Sequence, residues 1–168
     1  MTWETWLAYT IACAVLTAIP GPSVLLVIGQ SLTRGKTAAM MCILGDVIGS
    51  IVLVGLSFAG VGAILAASAV LFQIVKWAGV FYLAWLGYMQ IVDARRIRED
   101  LLVTPAKGSS WGSFWAGTVT AILNPKAIVF YMAFLAQFID PAGDLPLQLV
   151  LLTLTSSLVI VVLLTGYV

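Results

Sequence analysis

The order of apolar and polar positions divides the chain into five long hydrophobic runs. These runs lie near residues 6–31, 38–60, 69–91, 113–137 and 145–167, and polar or glycine-rich segments separate them. A helix needs about 20 residues to cross the roughly 30 Å hydrocarbon core of a bilayer, and every run reaches that length. The pattern therefore predicts an all-α, polytopic membrane bundle, with residues 1–168 forming a single transmembrane domain.

The composition agrees with a lipid environment. Hydrophobic residues make up 62% of the sequence and charged residues 9%, so a soluble domain would have too few polar residues to cover its surface. The net charge of +1 includes no basic stripe, so we expect no nucleic acid partner. The chain has no histidine, and Cys13 and Cys42 lie in apolar runs without metal-ligand spacing. We therefore expect no metal site and no cofactor.

Lysine and arginine are distributed unevenly among the connecting segments. The first connection contains Arg34 and Lys36, whereas the N-terminal segment and the second and fourth connections contain neither residue type. By the positive-inside rule the basic connections are cytoplasmic, which predicts the N-terminus outside and the C-terminus, after five spans, in the cytoplasm. The third connection, a predicted cytoplasmic loop at about residues 92–112, contains Arg95, Arg96, Arg98 and Lys107.

Two segments of the chain resemble each other at an offset of 103 residues. "TAIPGPSVLL" begins at Thr17 and "TAILNPKAIV" begins at Thr120, and each interrupts a hydrophobic run with proline. The first run passes inward and the fourth outward, so the two units are predicted to be inverted, as in many secondary transporters. Repeat one then covers about residues 1–91 and an incomplete repeat two about residues 113–168. The three-plus-three plan needs a sixth helix, which we expect to be absent from this chain.

The prolines in these segments predict breaks in the first and fourth spans. Proline has no backbone N–H and crowds the preceding turn, so each break should leave carbonyl groups without helical partners. In hydrocarbon such groups need other hydrogen-bond donors. The prolines are Pro20, Pro22 and Pro125, and the carbonyl groups concerned are those near Leu16, Ala18 and Ala121.

A new half-helix can begin directly after each break. Gly21 and Asn124 stand at the predicted N-cap positions, each followed by a proline that suits the first helical position. Each half-helix would direct its partially positive N-terminus toward the membrane interior, and inverted halves would face a common point. This predicts a site for an anion such as a carboxylate, with kinks that serve packing alone as the alternative. The next residues in the two half-helices are Ser23 and Lys126.

Three ionisable residues lie inside predicted spans, namely Asp46, Lys76 and Lys126. A charge at that depth costs at least about 2.5–3.5 kcal/mol, so each is a candidate functional residue. Asp46 begins a polar seam with Ser50 and Ser57 on one helix face, and it can exchange a proton or pair with a substrate ammonium. The alternative for Asp46 is a structural salt bridge to one of the two lysines. Lys76 lies near the outer end of its run and can instead extend its side chain to the interface.

Four segments together resemble one transporter family: "PGPSVLLVIGQSLTRGKTAA", "LGDVIGS", "LAASAVLFQIVKWAGVFYLAWLGY" and "NPKAIVFYMAFLAQFIDP". Their order is similar to that of the lysine exporter family, in particular its homoserine/threonine efflux branch (LysE/RhtB-type translocators). The resemblance implies a protein of the bacterial inner membrane that is not an enzyme and that exports amino acids or related metabolites using the proton gradient. The matching positions are the two breaks at residues 20–22 and 124–126, the acidic Asp46, and Lys76, Gly79 and Tyr82 of the third span.

The favoured function is a secondary exporter, whose partners are a small-molecule substrate such as an amino acid or derivative, protons and the lipid bilayer. One alternative is a shortened, non-transporting partner of a complete homologue, and the sequence leaves homo-oligomer formation open. Another is a membrane thiol oxidoreductase, although neither cysteine corresponds to a cysteine at the repeat offset. The residues expected to bind substrate or to couple transport are Asp46, Lys126, Asn124, Ser23 and Lys76.

Overall fold

The protein was analysed as a computed structural model that describes residues 1–67, positions 70, 74, 77 and 81, and residues 110–168. The described residues form helices joined by short connections and include no β-strand, which confirms the predicted all-α class. Lys76 lies outside the described residues, together with most of the predicted third span and cytoplasmic loop.

Six α-helices have bounds within the described residues. Two of them include segments long and apolar enough to cross a membrane, over Lys36–Gly60 and Leu145–Thr165. The first two helices meet the same criterion as a pair, with a bend of 54° between them. The helices are α1 (Trp3–Ala18), α2 (Pro22–Arg34), α3 (Lys36–Ala67), α4 (Ser110–Leu123), α5 (Pro125–Val129) and α6 (Leu145–Thr165).

The first predicted break lies between α1 and α2. The residue before a proline avoids helical backbone angles, and Ile19 accordingly adopts an extended conformation (φ −69°, ψ 120°) before Pro20. Gly21 is the N-cap of α2, and Pro22 occupies the first helical position, where its missing N–H removes no helical hydrogen bond. The predicted positions of the first break and of the new helix start are therefore confirmed.

The second predicted break lies between α4 and α5. Asn124 is the N-cap of α5, and its side-chain oxygen accepts a hydrogen bond from the backbone N–H of Lys126 at 3.1 Å. Pro125 occupies the first helical position of α5. The two breaks thus share the arrangement of cap and proline that the sequence predicts.

The chain after α5 departs from a regular α-helix, which the sequence analysis did not predict. A π-helical turn covers Phe130–Phe134 and a 3₁₀ turn covers Leu135–Phe138. The hydroxyl of Ser57 on α3 donates a hydrogen bond to the backbone carbonyl of Tyr131 in the π-helical turn. A tertiary contact therefore satisfies a backbone group within the irregular segment, which contains no glycine or proline that would predict the change.

Helices α3 and α4 approach each other closely along a row of small residues. The Gly45-xxx-Gly49 pattern predicts such packing, and a Cβ atom at Gly45 would lie 1.9 Å from the carbonyl oxygen of Phe114. A Cβ atom at Gly117 would lie 2.0 Å from the carbonyl oxygen of Cys42. The prediction of close packing is confirmed, and this contact fixes the position of Asp46 relative to α4 and the second break.

Polar contacts bring the connecting segments together at two ends of the bundle. At one end, the N-terminal amino group of Met1 lies 3.6 Å from a carboxylate oxygen of Asp140. At the other end, the hydroxyl of Ser113 at the start of α4 donates to the side-chain oxygen of Gln30 near the end of α2, at 2.8 Å. The N-terminal segment and the fourth connection thus share one end, and the connection with Arg34 and Lys36 lies near the start of α4.

Candidate functional site

The two helix breaks meet at one buried cavity. The side-chain amide of Asn124 in the second break donates to the hydroxyl of Ser23 after the first break, at 3.3 Å. The cavity has a volume of about 50 Å³, which is room for one or two water molecules. Its polar lining consists mainly of Ser23, Asp46, Ser50, Asn124, Lys126 and Tyr131.

Lys126 joins the second break to the first. Its side chain is only 8% exposed, and its Nζ atom lies 2.7 Å from the carbonyl oxygens of both Leu16 and Ile19. Pro20 cannot donate to the Leu16 carbonyl as a helical residue would, so the lysine supplies the missing donor. A cation is also favoured here because the C-terminal end of α1 is partially negative.

The other carbonyl groups predicted to be freed also have donors. The hydroxyl of Tyr167, beyond the end of α6, donates to the carbonyl oxygen of Ala18 at 2.9 Å. The backbone N–H of Asn124 donates to the carbonyl oxygen of Ala121 at 3.2 Å. The predicted carbonyl groups at both breaks therefore have donors within the protein, as a hydrocarbon environment requires.

Asp46 is buried in the cavity wall and is incompletely paired. Its side chain is 5% exposed, and its Oδ1 atom has no hydrogen-bond partner among the described residues. Ser23 and Lys126 are close enough to interact electrostatically with the carboxylate. Among the described residues, however, the ion pair within 4.0 Å is the one at Asp140, so Asp46 and Lys126 form no direct salt bridge. The cavity thus holds two opposite charges that do not neutralise each other by contact.

The start of α2 differs from the start of α5 in the groups available at the cavity. The side chain of Asn124 caps α5, whereas no side chain caps α2 after Gly21. The first N–H groups of a helix have no acceptor within the helix. In α2 these groups belong to Ser23 and Val24, which both line the cavity. The two helix starts at the cavity therefore differ, because a side chain caps α5 and none caps α2.

The structure brings together four of the five residues expected to bind substrate or to couple transport. Ser23, Asp46, Asn124 and Lys126 line the same cavity, and the fifth, Lys76, lies outside the described residues. Tyr131 also lines the cavity and is not among the predicted site residues. It lies inside an apolar run, where its sequence context is that of an aromatic residue that serves packing alone.

The first break also depends on a residue that sequence analysis did not identify. Tyr167 donates to the Ala18 carbonyl across 149 residues of sequence, and no local pattern relates the two positions.

The two cysteines do not form a disulfide. Cys13 and Cys42 are both unpaired and buried in different hydrophobic clusters.

A membrane bundle in which broken helices meet at a buried charged cavity has the architecture of secondary transporters. The model of the LysE type translocator family matches residues 14–167, and the chain belongs to this family. The resemblance found in the sequence is thereby confirmed. The chain is therefore a membrane translocator and not an enzyme.

Several proteins are similar to this chain. It is 36% identical over 170 residues to a homoserine/homoserine lactone efflux protein of Salmonella typhimurium, covering 99% of this chain and 80% of that protein. It is 34% identical over 170 residues to an uncharacterized membrane protein of Vibrio cholerae, with the same coverage. It is 33% identical over 132 residues to a leucine efflux protein of Salmonella typhimurium, covering 79% of this chain and 62% of that protein. No solved structure matches the chain significantly.

Proposed function

We propose that this protein is a secondary exporter that moves amino acids or related small metabolites out of the bacterial cytoplasm and is driven by the proton gradient. The observation that carries the proposal is the cavity between the two helix breaks, where the buried Asp46 carboxylate and the Lys126 ammonium approach without direct pairing. Two relatives are named as efflux proteins for homoserine or its lactone and for leucine, which supports amino acids as the substrate class.

The charges of the cavity suit a zwitterionic substrate. The ammonium of an amino acid would bind the Oδ1 atom of Asp46, which has no partner among the described residues. An ammonium group has three N–H donors, and Lys126 uses two of them on α1, which leaves one for a substrate carboxylate. The uncapped start of α2 beside Ser23 adds N–H donors to the same anion.

The small volume of the cavity supports a moving site. A volume of about 50 Å³ is far below the roughly 300–1,000 Å³ of pockets that hold small molecules. The bundle must therefore open to one side of the membrane to admit substrate. We propose rocking of repeat one, about residues 1–91, against repeat two, about residues 113–168, with the repeats inverted and the site between them.

The proposed location is the bacterial inner membrane, with the N-terminus outside and the first connection in the cytoplasm. The basic residues Arg34 and Lys36 support this orientation through the positive-inside rule. The contact between Met1 and Asp140 supports it further, because it joins the N-terminal segment to the fourth connection, which also contains no lysine or arginine.

Efflux from proteoliposomes tests the function and the role of Asp46 together. Vesicles loaded with homoserine or leucine should release substrate faster when a pH gradient is imposed. Asp46→Asn removes the carboxylate charge and should abolish the acceleration by the gradient. Asp144→Asn is the matched control, because Asp144 caps α6 and asparagine caps a helix equally well. Full gradient-driven efflux by Asp46→Asn would remove Asp46 from the coupling role.

A further inference from the structure

The C-terminal end of α1 has the chemistry of a cation site. The carbonyl oxygens of Leu16 and Ile19 converge on one point, where the Nζ atom of Lys126 lies 2.7 Å from each. The backbone at Ile19 is extended, so its carbonyl leaves the helical direction and can point to the same position as that of Leu16. Convergent carbonyl oxygens replace the hydration shell of monovalent cations in ion filters.

We infer that this end of α1 is a monovalent-cation site which the chain fills with its own Lys126 ammonium. The lysine comes from the other half of the sequence, 110 residues from Leu16. In transporters with broken helices, unwound carbonyls and helix C-terminal ends bind coupling ions such as Na⁺. Here the tethered ammonium occupies that position, so the protein needs no dissolved metal cation to complete the break.

The surroundings would accept a free cation if the tethered one were removed. Asp46 contributes a buried carboxylate to the same cavity, and Thr17, which lies between Leu16 and Ile19 in the sequence, also lines it. A truncated side chain at position 126 would leave these oxygen atoms and the space once filled by the lysine. Shortening Lys126 to alanine should therefore turn an internal ion contact into a site for NH₄⁺, K⁺ or Na⁺.

The test measures the thermal stability of the purified full chain in detergent, with choline as the reference cation at constant ionic strength. In choline, Lys126→Ala should melt roughly 4–8 °C below the wild type, because two carbonyl groups lose a charged donor. Addition of NH₄⁺, K⁺ or Na⁺ should restore at least half of this shift, and the effect should saturate. The wild type and the control Lys36→Ala, which removes an exposed lysine, should show no such response.

The outcomes separate a cation site from a general structural role. Lys126→Gln keeps amide donors for one carbonyl, so it should fold in choline and respond less to the small cations than Lys126→Ala. The inference is overturned if Lys126→Ala responds to these cations no more than the wild type does, or if it remains unfolded in every salt.

A transport measurement adds a consequence that rests on the proposed function. Wild-type efflux should keep its rate when choline replaces all Na⁺ and K⁺, and a strict requirement for either ion would overturn the inference. Absence of any efflux would refute the proposed function instead, and the melting experiment would still decide whether the cation site exists.

Discussion

The side-chain nitrogen of Lys126 lies 2.7 Å from the backbone carbonyl oxygen of Leu16. The two residues belong to different helix breaks, and the carbonyl is the one that Pro20 leaves without a helical donor. A side chain from the second break therefore supplies the hydrogen-bond donor that the first break lacks. A displacement of either half of the bundle would separate this charged donor from its acceptor. This relationship makes the two breaks a single site.

Removal of the Lys126 charge should reduce transport more than removal of the charge of Lys36, the other lysine among the described residues. Lys126→Met keeps much of the side-chain length but removes the ammonium that bridges α1 and would bind a substrate carboxylate. We expect efflux from proteoliposomes to fall at least about tenfold, which corresponds to about 1.4 kcal/mol. Lys36→Met, at an exposed position, should retain the wild-type rate. Equal rates for both variants would exclude Lys126 from the transport site.

The close approach of α3 and α4 should make added methyl groups costly. A Cβ at Gly45 would lie 1.9 Å from a backbone oxygen of α4, so Gly45→Ala requires the helices to separate and should cost about 1–3 kcal/mol or more. Gly29→Ala is the matched control, because no atom lies within 4 Å of its added Cβ and alanine favours a helix. Melting temperatures should fall for the first variant and stay level or rise for the second; the opposite order would contradict the packing.

The hydroxyl of Tyr167 should contribute to the stability of the first break. Tyr167→Phe removes the donor to the Ala18 carbonyl and should lower the free energy of unfolding by about 0.5–1.5 kcal/mol. Tyr9→Phe makes the same chemical change at a buried hydroxyl that has no hydrogen-bond partner among the described residues. This second variant should be neutral or stabilising in the same melting assay. A larger loss for Tyr9→Phe would disprove the assignment.

Asn124 has two functions that substitutions can separate. Asn124→Ala removes both the cap of α5 and the donor to Ser23, and should cost about 1 kcal/mol of stability as well as activity. Asn124→Ser retains a capping oxygen but loses the amide donor. It should keep most of the stability while efflux still falls, if the contact to Ser23 holds the two breaks together. Full efflux by Asn124→Ser would limit Asn124 to capping.

Labelling with a membrane-impermeant thiol reagent should decide the orientation. Ala142 and Thr37 are exposed at opposite ends of the bundle, and the native Cys13 and Cys42 are buried, so background labelling should be low. In intact cells Ala142→Cys should react and Thr37→Cys should react only after permeabilisation. The reverse pattern would place the N-terminus in the cytoplasm.

Local chemistry in the sequence predicted the approximate positions of the described helices and of both breaks. The first break follows from the missing N–H of Pro20 and Pro22, and the second from the pairing of Asn124 with Pro125 as cap and first helical residue. Proline and the N-cap residue act on the backbone within one helical turn, so neighbouring residues in the sequence are enough to predict a break. The depth of Asp46 and Lys126 in apolar runs marks both as candidate functional residues, because unpaired charges in a membrane are costly, and both side chains line the cavity.

The partners of these residues required the tertiary structure. Nothing near Lys126 in the sequence indicates that it binds the carbonyls of Leu16 and Ile19 and not the carboxylate of Asp46, because that choice depends on how α5 packs beside α1. The hydrogen bond from Tyr167 and the contact of Ser57 with the π-helical turn at Tyr131 likewise join residues that are distant in the sequence. A sequence determines where a helix must break, whereas only the packing of distant helices determines which donor satisfies each freed carbonyl.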